Sequence, residues 1–206
     1  MNIINKYFHN LTDLQKQQYE HLEELYKSWN AAINVISRKD IDNLEERHIL
    51  HSLSIAKIIN FADDTNIIDV GTGGGLPGIP LAIMFPKVNF LLVDSIGKKI
   101  KVAQSIADEL KLDNVTAVKS RIEDICGEFD FAVSRGMTTF PEFMRLIDGK
   151  ISHNNKNSLP NGVIYLKGGD YQKELNQIDN NYRIFKISDF FDEEFFTTKE
   201  IVWIKA

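Results

Sequence analysis

A strand-forming run that leads directly into a glycine-rich loop is the feature that most limits how this chain can fold. The apolar run IIDV at residues 67–70 is followed by GTGGGLPG at residues 71–78. Glycines permit positive φ and let a ligand approach the backbone closely, while the start of the next helix supplies N–H groups without intrahelical partners. The pattern predicts an α/β fold in which this loop holds a nucleotide-like ligand.

The rest of the chain from Asn66 onward supports the same architecture. Short apolar runs alternate with helical segments, including one over residues 98–111, which is typical of βαβ units and a mostly parallel sheet. The last two strands are expected to form a hairpin, so that the sheet has seven strands. The predicted strands cover residues 67–70, 88–93, 115–118, 131–134, 163–166, 182–187 and 200–204.

The N-terminal part is predicted to be helical. Thr12 and Gln15 form a capping-box pattern at the start of a first amphipathic helix. Asp42 and Glu45 repeat that start signal before a second one. The 206 residues suffice for one α/β domain but not for two with a linker. We therefore expect a helical cap over residues 1–60 and an α/β domain over residues 61–206, folded as a single compact unit.

Composition and charge exclude several classes of protein. Apolar residues make up 43% and charged residues 26%, close to the averages for soluble globular domains. No run approaches the roughly 20 apolar residues that span a bilayer, and the N-terminus lacks a signal peptide, so a cytoplasmic location without membrane contact is expected. Cys126 is the single cysteine and cannot form a Cys-cluster zinc site; no metal site is predicted. The net charge of -5 counts against a protein that coats nucleic acid, so any such contact must be local.

The spacing of the glycines bears on which nucleotide is bound. A dinucleotide fingerprint needs G-x-G-x-x-G immediately after the strand. Read from Gly71, its last position is Leu76; read from Gly73, the pattern matches but begins two residues late. Pro77 and Pro80 also lack the N–H groups that a pyrophosphate would seek. These features argue against a nicotinamide-dependent oxidoreductase but do not exclude one.

Two further segments fit a bound adenosine. Asp94 ends the second strand, where its carboxylate can accept hydrogen bonds from ribose hydroxyls, although it could instead start the turn before the next helix. Ile122 follows the third strand and could pack on an adenine ring. Its neighbours Glu123 and Asp124 could contribute to the same site or merely cap a helical turn. The glycine loop and a strand-end acid together predict a nucleoside cofactor.

If the nucleoside cofactor is a methyl donor, the end of the fourth strand limits which kinds of substrate atom the protein can methylate. Its sequence SRGM, residues 134–137, lacks the Asn/Asp-Pro-Pro-aromatic motif used to methylate exocyclic amines. Cys126 lies before this strand, on the wrong side of the sheet for attack on a pyrimidine carbon. A substrate atom with a free lone pair, such as N7 of guanine, remains, and it requires positioning rather than a catalytic base. Methylation of a protein or a small molecule stays open as an alternative.

The chain resembles the RsmG (GidB) family of bacterial methyltransferases over nearly its whole length. The resemblance implies a Rossmann-like, seven-stranded S-adenosylmethionine-dependent methyltransferase fold with an N-terminal helical extension. It also implies methylation of a guanine N7 in 16S ribosomal RNA, with S-adenosyl-L-methionine as cofactor. The segments that carry the resemblance are NVIS (34–37), ERHILHSL (46–53), DVGTGGGLPGIPL (69–81), DS (94–95) with KK (98–99), SR (134–135) and LKG (166–168).

Site residues follow from this resemblance position by position. Two positions depart from the family pattern: Gly136 stands where alanine is common and His51 where aspartate is common. No catalytic acid or base is expected, and the substrate is expected to be 16S RNA within the small ribosomal subunit or an assembly intermediate. The expected cofactor contacts are Gly71, Leu76, Ile122, Glu123 and Arg135, with Gly73 in the same loop and Asp94 as ribose acceptor. The candidate RNA contacts come instead from the basic residues of the chain, each of which could equally have a structural role: Arg47, Arg121, Arg135 and Lys167.

Overall fold

A computed structural model describes residues 3–37, 40–179 and 181–206 of the chain. Its centre is a seven-stranded sheet of order β3-β2-β1-β4-β5-β7-β6, in which β1 to β5 are parallel and β7 is antiparallel to both of its neighbours. The predicted seven strands and closing hairpin are confirmed. The strands are β1 (Asn66–Val70), β2 (Asn89–Asp94), β3 (Val115–Lys119), β4 (Phe131–Arg135), β5 (Gly162–Gly168), β6 (Tyr182–Lys186) and β7 (Lys199–Lys205).

The strand order creates a natural ligand-binding position beside β1. The chain runs from β1 to β2 and β3 on one side and then returns to place β4 on the other side of β1. The connections after β1 and β4 therefore diverge and leave a crevice at the carboxyl ends of these strands. Ligands of open α/β sheets bind in such a crevice.

Helices cover both faces of the sheet. Successive strand residues point to opposite faces, so Ile67 belongs to the core beneath the N-terminal helices while Ile68 packs with Phe140 and Phe143 on the other side. No helix in the described ranges is long and apolar enough to cross a membrane. The helices are α1 (Ile3–Tyr7), α2 (Asp13–Ala32), α3 (His51–Leu53), α4 (Ile55–Ile58), α5 (Gly78–Met84), α6 (Gly97–Glu109), α7 (Phe140–Leu146) and α8 (Gln172–Leu175).

The long helix α2 attaches the N-terminal segment to the glycine loop. Its predicted capping box is confirmed, because the side chains of Thr12 and Gln15 each bond to the other's backbone N–H. Further along, the buried hydroxyl of Tyr26 donates a hydrogen bond to the Gly74 carbonyl at 3.0 Å. Helix α2 thus packs on the loop that was predicted to bind the cofactor. Residues 1, 2, 38 and 39 of the predicted cap lie outside the described residues.

The second predicted helix is present as a series of helical segments and buries most of its predicted apolar residues, but it is not one regular α-helix, so only its regularity was predicted wrongly. The chain forms a 3-10 turn at Ile41–Asn43, a π-helix at Glu45–Leu50, and then the short helices α3 and α4. Asp42 lies inside the 3-10 turn, and neither segment has a side-chain cap. The wider π turn places Ile49 and Leu50 in the core together, so packing overrides the local start signal.

Candidate cofactor and substrate site

A cavity of about 450 Å³ opens at the carboxyl ends of β1, β2 and β4. Its size falls in the range of small-molecule sites. It brings together most of the residues that the sequence singled out for cofactor binding, although they come from four separate segments of the chain. The predicted site residues that line it are Gly71, Asp94, Arg121, Ile122, Glu123 and Arg135.

The glycine loop closes one side of this cavity. Gly71 has a φ of 70°, and a Cβ at this position would lie 2.9 Å from Cγ of Met137, so only glycine fits without rearrangement. The N–H of Gly73 donates a hydrogen bond to Oδ2 of Asp94 at 3.0 Å. Gly73 and Leu76 do not line the cavity, and Leu76 is buried in the core. Direct cofactor contact by these two residues stays a prediction.

Asp69 holds the loop from below, a role that the sequence analysis did not assign. Its Oδ2 accepts hydrogen bonds from Oγ1 of Thr72 at 2.6 Å and from the N–H of Gly78 at 2.8 Å. Burial raises the pKa of this carboxyl from its ordinary value of 3.8 to about 7. The signal in the sequence was a carboxyl inside an otherwise apolar strand, immediately before the glycines.

Asp94 starts the turn before α6, which was one of the two roles that the sequence left open, and its contact with a ribose stays a prediction. Its Oδ1 accepts a hydrogen bond from the N–H of Ile96 at 2.8 Å and so begins the turn into α6, while Oδ2 holds Gly73. A carboxylate has about four acceptor positions. Acceptor capacity therefore remains on the side that faces the cavity, where ribose hydroxyls are expected.

The side of the cavity that is predicted to face an adenine is formed after β3. Residues Ile122–Asp124 make a single 3-10 turn, and Ile122 is mostly buried with its remaining surface on the cavity. Glu123 also lines the cavity and is exposed. Arg121 occupies the N-cap position of the turn without a side-chain cap bond. Glu123 and Asp124 therefore lie within the turn and no side-chain cap bond starts it, while the turn presents the apolar side chain of Ile122 to the cavity.

A second cavity of about 490 Å³ adjoins the first. Arg135, Gly136 and Met137 line both, so the segment that ends β4 forms a common wall. The far side of the second cavity is formed by the end of β5, where Nζ of Lys167 donates to Oε2 of Glu174 at 2.8 Å. The two cavities are therefore adjacent and share one wall.

Comparison with known proteins identifies the family. A model of GidB, described as rRNA small subunit methyltransferase G, matches residues 15–200. This chain belongs to the GidB family. Two relatives called "Ribosomal RNA small subunit methyltransferase G" are similar over nearly their full lengths. The protein from Christiangramia forsetii is 52% identical over 99% of this chain and 96% of the relative. The protein from Flavobacterium psychrophilum is 53% identical over 99% and 97%.

Solved structures agree on the fold of this GidB-family chain. A SAM-dependent methyltransferase from Aquifex aeolicus has a TM-score of 0.58 at 14% identity, covering 83% of this chain and all of the other. A precorrin-6y C5,15-methyltransferase from Geobacter metallireducens has a TM-score of 0.56 at 12% identity, covering 84% and 92%. The predicted Rossmann-like methyltransferase fold is confirmed.

Arg135 is the charged residue best placed to serve both cavities of this GidB-family site. Its guanidinium lies largely inside the protein, and burial lowers its pKa. The one hydrogen bond it makes to the described residues is a long one of 3.5 Å, from Nη1 to the carbonyl of Arg47. A guanidinium has five N–H donors. Most of the donor capacity of Arg135 is therefore available for a ligand.

The cap contributes less to the site than the sequence analysis expected. Arg47 lines neither cavity; its Nη1 pairs with Oδ1 of Asp40 at 3.2 Å and its guanidinium lies over the ring of Phe195. His51, the departure from the family pattern, lines the second cavity, and burial lowers its pKa so that it is neutral at pH 7. Burial likewise lowers the pKa of His48 to about 4. RNA contact by Arg47 stays a prediction.

Proposed function

We propose that this protein transfers the methyl group of S-adenosyl-L-methionine to N7 of a guanine in 16S ribosomal RNA. The observation that carries this proposal is the pair of adjoining cavities that share Arg135, Gly136 and Met137 at the carboxyl ends of the strands. In a member of the GidB family, one cavity suits the cofactor and the other suits the base.

The residues of the first cavity fit S-adenosylmethionine. Gly71 lines the cavity with its backbone alone, Asp94 offers acceptors for the ribose, and Ile122 offers an apolar surface to the adenine. Arg135 provides a positive charge that suits the carboxylate of the methionine portion. When bound, this cofactor supplies a methyl group made electrophilic by its sulfonium.

The wall between the cavities agrees with a nucleophile that needs no deprotonation. Of Arg135, Gly136 and Met137, none has a side chain that accepts a proton at neutral pH. N7 of guanine already carries a lone pair, so the protein has to orient the base and exclude water. Such orientation contributes about 7 to 11 kcal/mol in well-aligned reactions.

The distribution of charge favours a local RNA contact. The chain has a net charge of -5, yet Lys99 and Arg121 line the first cavity and Lys167 and Lys199 line the second. These cations can meet phosphates next to an extruded base, and the shape of a ribosomal particle can supply further specificity. We place this activity in the cytoplasm, on the small subunit or an assembly intermediate.

Methylation assays with purified components test this proposal. Labelled S-adenosylmethionine is incubated with the protein and with small subunits, naked 16S RNA or large subunits, and the RNA is digested for mass spectrometry. We expect one 7-methylguanosine in 16S RNA, formed faster in particles than in naked RNA. An Asp94→Ala variant should bind S-adenosylhomocysteine poorly and methylate slowly. Methyl transfer only to protein or small molecules, or calorimetric binding of NAD instead of S-adenosylhomocysteine, would refute the proposal.

A further inference from the structure

The second cavity contains a carboxylate in otherwise positive surroundings. Arg135, Lys167 and Lys199 line it, and Glu174 is the one acidic residue that the described part of the chain places there. A carboxylate repels RNA phosphates, so its position in a substrate cavity calls for a specific reason. Hydrogen-bond donors on the substrate would supply that reason.

Glu174 is held so that one of its oxygens remains available. Its Oε2 accepts hydrogen bonds from Nζ of Lys167 at 2.8 Å and from the N–H of Phe140 at 3.1 Å. Oε1 receives none from the described residues, and 22% of the side chain is exposed. Lys167 also donates to the Thr138 carbonyl at 3.1 Å, and its Nζ lies 4.9 Å from the ring centre of Phe140. Lys167 therefore fixes the orientation of the carboxylate, whose free lone pairs can meet a ligand in the cavity.

Guanine is the base whose edge matches a fixed carboxylate. It presents two neighbouring donors, N1–H and the N2 amino group, whereas adenine presents a lone pair at N1. A partly buried carboxylate that faces a lone pair makes no hydrogen bond to it and is repelled, so the discrimination is large. A base read in this way must be unpaired, which suits an RNA loop or a flipped nucleotide.

Reading guanine by this edge leaves N7 free to react. N7 lies in the imidazole ring on the major-groove side of the purine, away from N1–H and N2. The wall shared with the first cavity also lines the cavity that contains Glu174. Met137 in that wall keeps 41% of its surface exposed and offers an apolar surface on which a base can stack. We propose that Glu174 selects guanine by accepting hydrogen bonds from N1–H and N2, with Lys167 as its positioning residue. This inference rests on the proposed function.

A substrate lacking the N2 amino group tests the inference directly. Inosine has the same N1–H, O6 and N7 as guanine and lacks only the N2 amino donor. The substrate is 16S RNA with inosine at the methylated position, made by splinted ligation and assembled into particles. We expect the wild-type protein to prefer guanine over inosine by about tenfold or more in kcat/KM, since hydrogen bonds to charged groups have this effect. Glu174→Gln should reduce kcat/KM on guanine RNA and lower the guanine-to-inosine ratio to near one.

Glu200→Gln is the matched control. Glu200 is a partly buried carboxylate that accepts a hydrogen bond from the Tyr171 hydroxyl and lines neither cavity. We expect this variant to keep the wild-type ratio. Calorimetry with S-adenosylhomocysteine confirms that each variant is folded. If Glu174→Gln is too slow to assay, its equilibrium affinities for the two RNAs are compared and should be equal.

The possible failures are separable. A wild-type protein that methylates no guanine in 16S RNA would refute the proposed function itself. A wild-type protein that methylates guanine RNA but does not distinguish it from inosine RNA would overturn the role of Glu174 alone. A Glu174→Gln variant with the full wild-type ratio, in rates or in affinities, would do the same.

Discussion

Replacing Tyr26 by phenylalanine tests how the N-terminal helices support the cofactor loop. The Tyr26 hydroxyl is buried and donates to the Gly74 carbonyl at 3.0 Å. This carbonyl accepts no other hydrogen bond from the described backbone, because the N–H of Gly78 bonds to Asp69 instead. Phenylalanine would keep the packing and leave a buried carbonyl without a donor.

The magnitude follows from that lost donor. A buried acceptor left unsatisfied costs about 1 to 3 kcal/mol. For a chain of this size, a loss of about 2 kcal/mol lowers Tm by roughly 4 to 8 °C. In the Tyr26→Phe variant the loosened loop must be ordered again when the cofactor binds. If about 1 kcal/mol of the lost stability opposes binding in this way, the affinity for S-adenosylhomocysteine falls roughly fivefold.

Tyr19→Phe provides the comparison. The Tyr19 hydroxyl is also buried and donates at 2.9 Å, but its acceptor is the Pro80 carbonyl, which lies within α5 and away from both cavities. It should cost about 1 kcal/mol of stability, because a helical carbonyl has a second donor four residues ahead, and it should leave affinity unchanged. Thermal unfolding and calorimetry measure both effects. Equal losses of affinity in the two variants, or no change in Tm for Tyr26→Phe, would refute the reasoning.

Three further outcomes are expected. Asp94→Asn should weaken binding of S-adenosylhomocysteine by about tenfold to a hundredfold in calorimetry, whereas Asp63→Asn, an exposed carboxylate paired with Lys87, should bind normally. Gly71→Ala should abolish measurable cofactor binding, because its φ of 70° and the contact with Met137 both oppose a side chain; normal binding would contradict the loop geometry. Burial raises the pKa of Asp69 from 3.8 to about 7, so the folded protein holds this proton more tightly than the unfolded chain does. The stabilisation from the protonated Asp69 is complete below about pH 4 and is lost as pH rises through about 7. The free energy of unfolding in urea should therefore fall by up to about 4 kcal/mol over this range, and Asp69→Asn should not show this fall.

Local sequence patterns predicted the elements of the site well. The central strands β1, β4 and β5 lie where their largely apolar runs lie, because strands buried on both faces need such runs. The capping box at Thr12 forms as predicted, since its two partners are three residues apart. The start signal at Asp42 failed because the π-helix at Glu45–Leu50 is favoured by packing against the core, which a local pattern does not report.

The amino-acid sequence by itself determined the parallel sheet, the glycine loop and the carboxylate at the end of β2, since all three depend on periodicity and turn chemistry between near neighbours. Only the tertiary structure decided which distant side chains meet. It placed Arg47 on Asp40 and away from the cavities, and it put Lys167 beside Glu174 where β5 ends. The physical reason is that such contacts depend on how strands cross over and helices pack, and these positions are set by the whole core together.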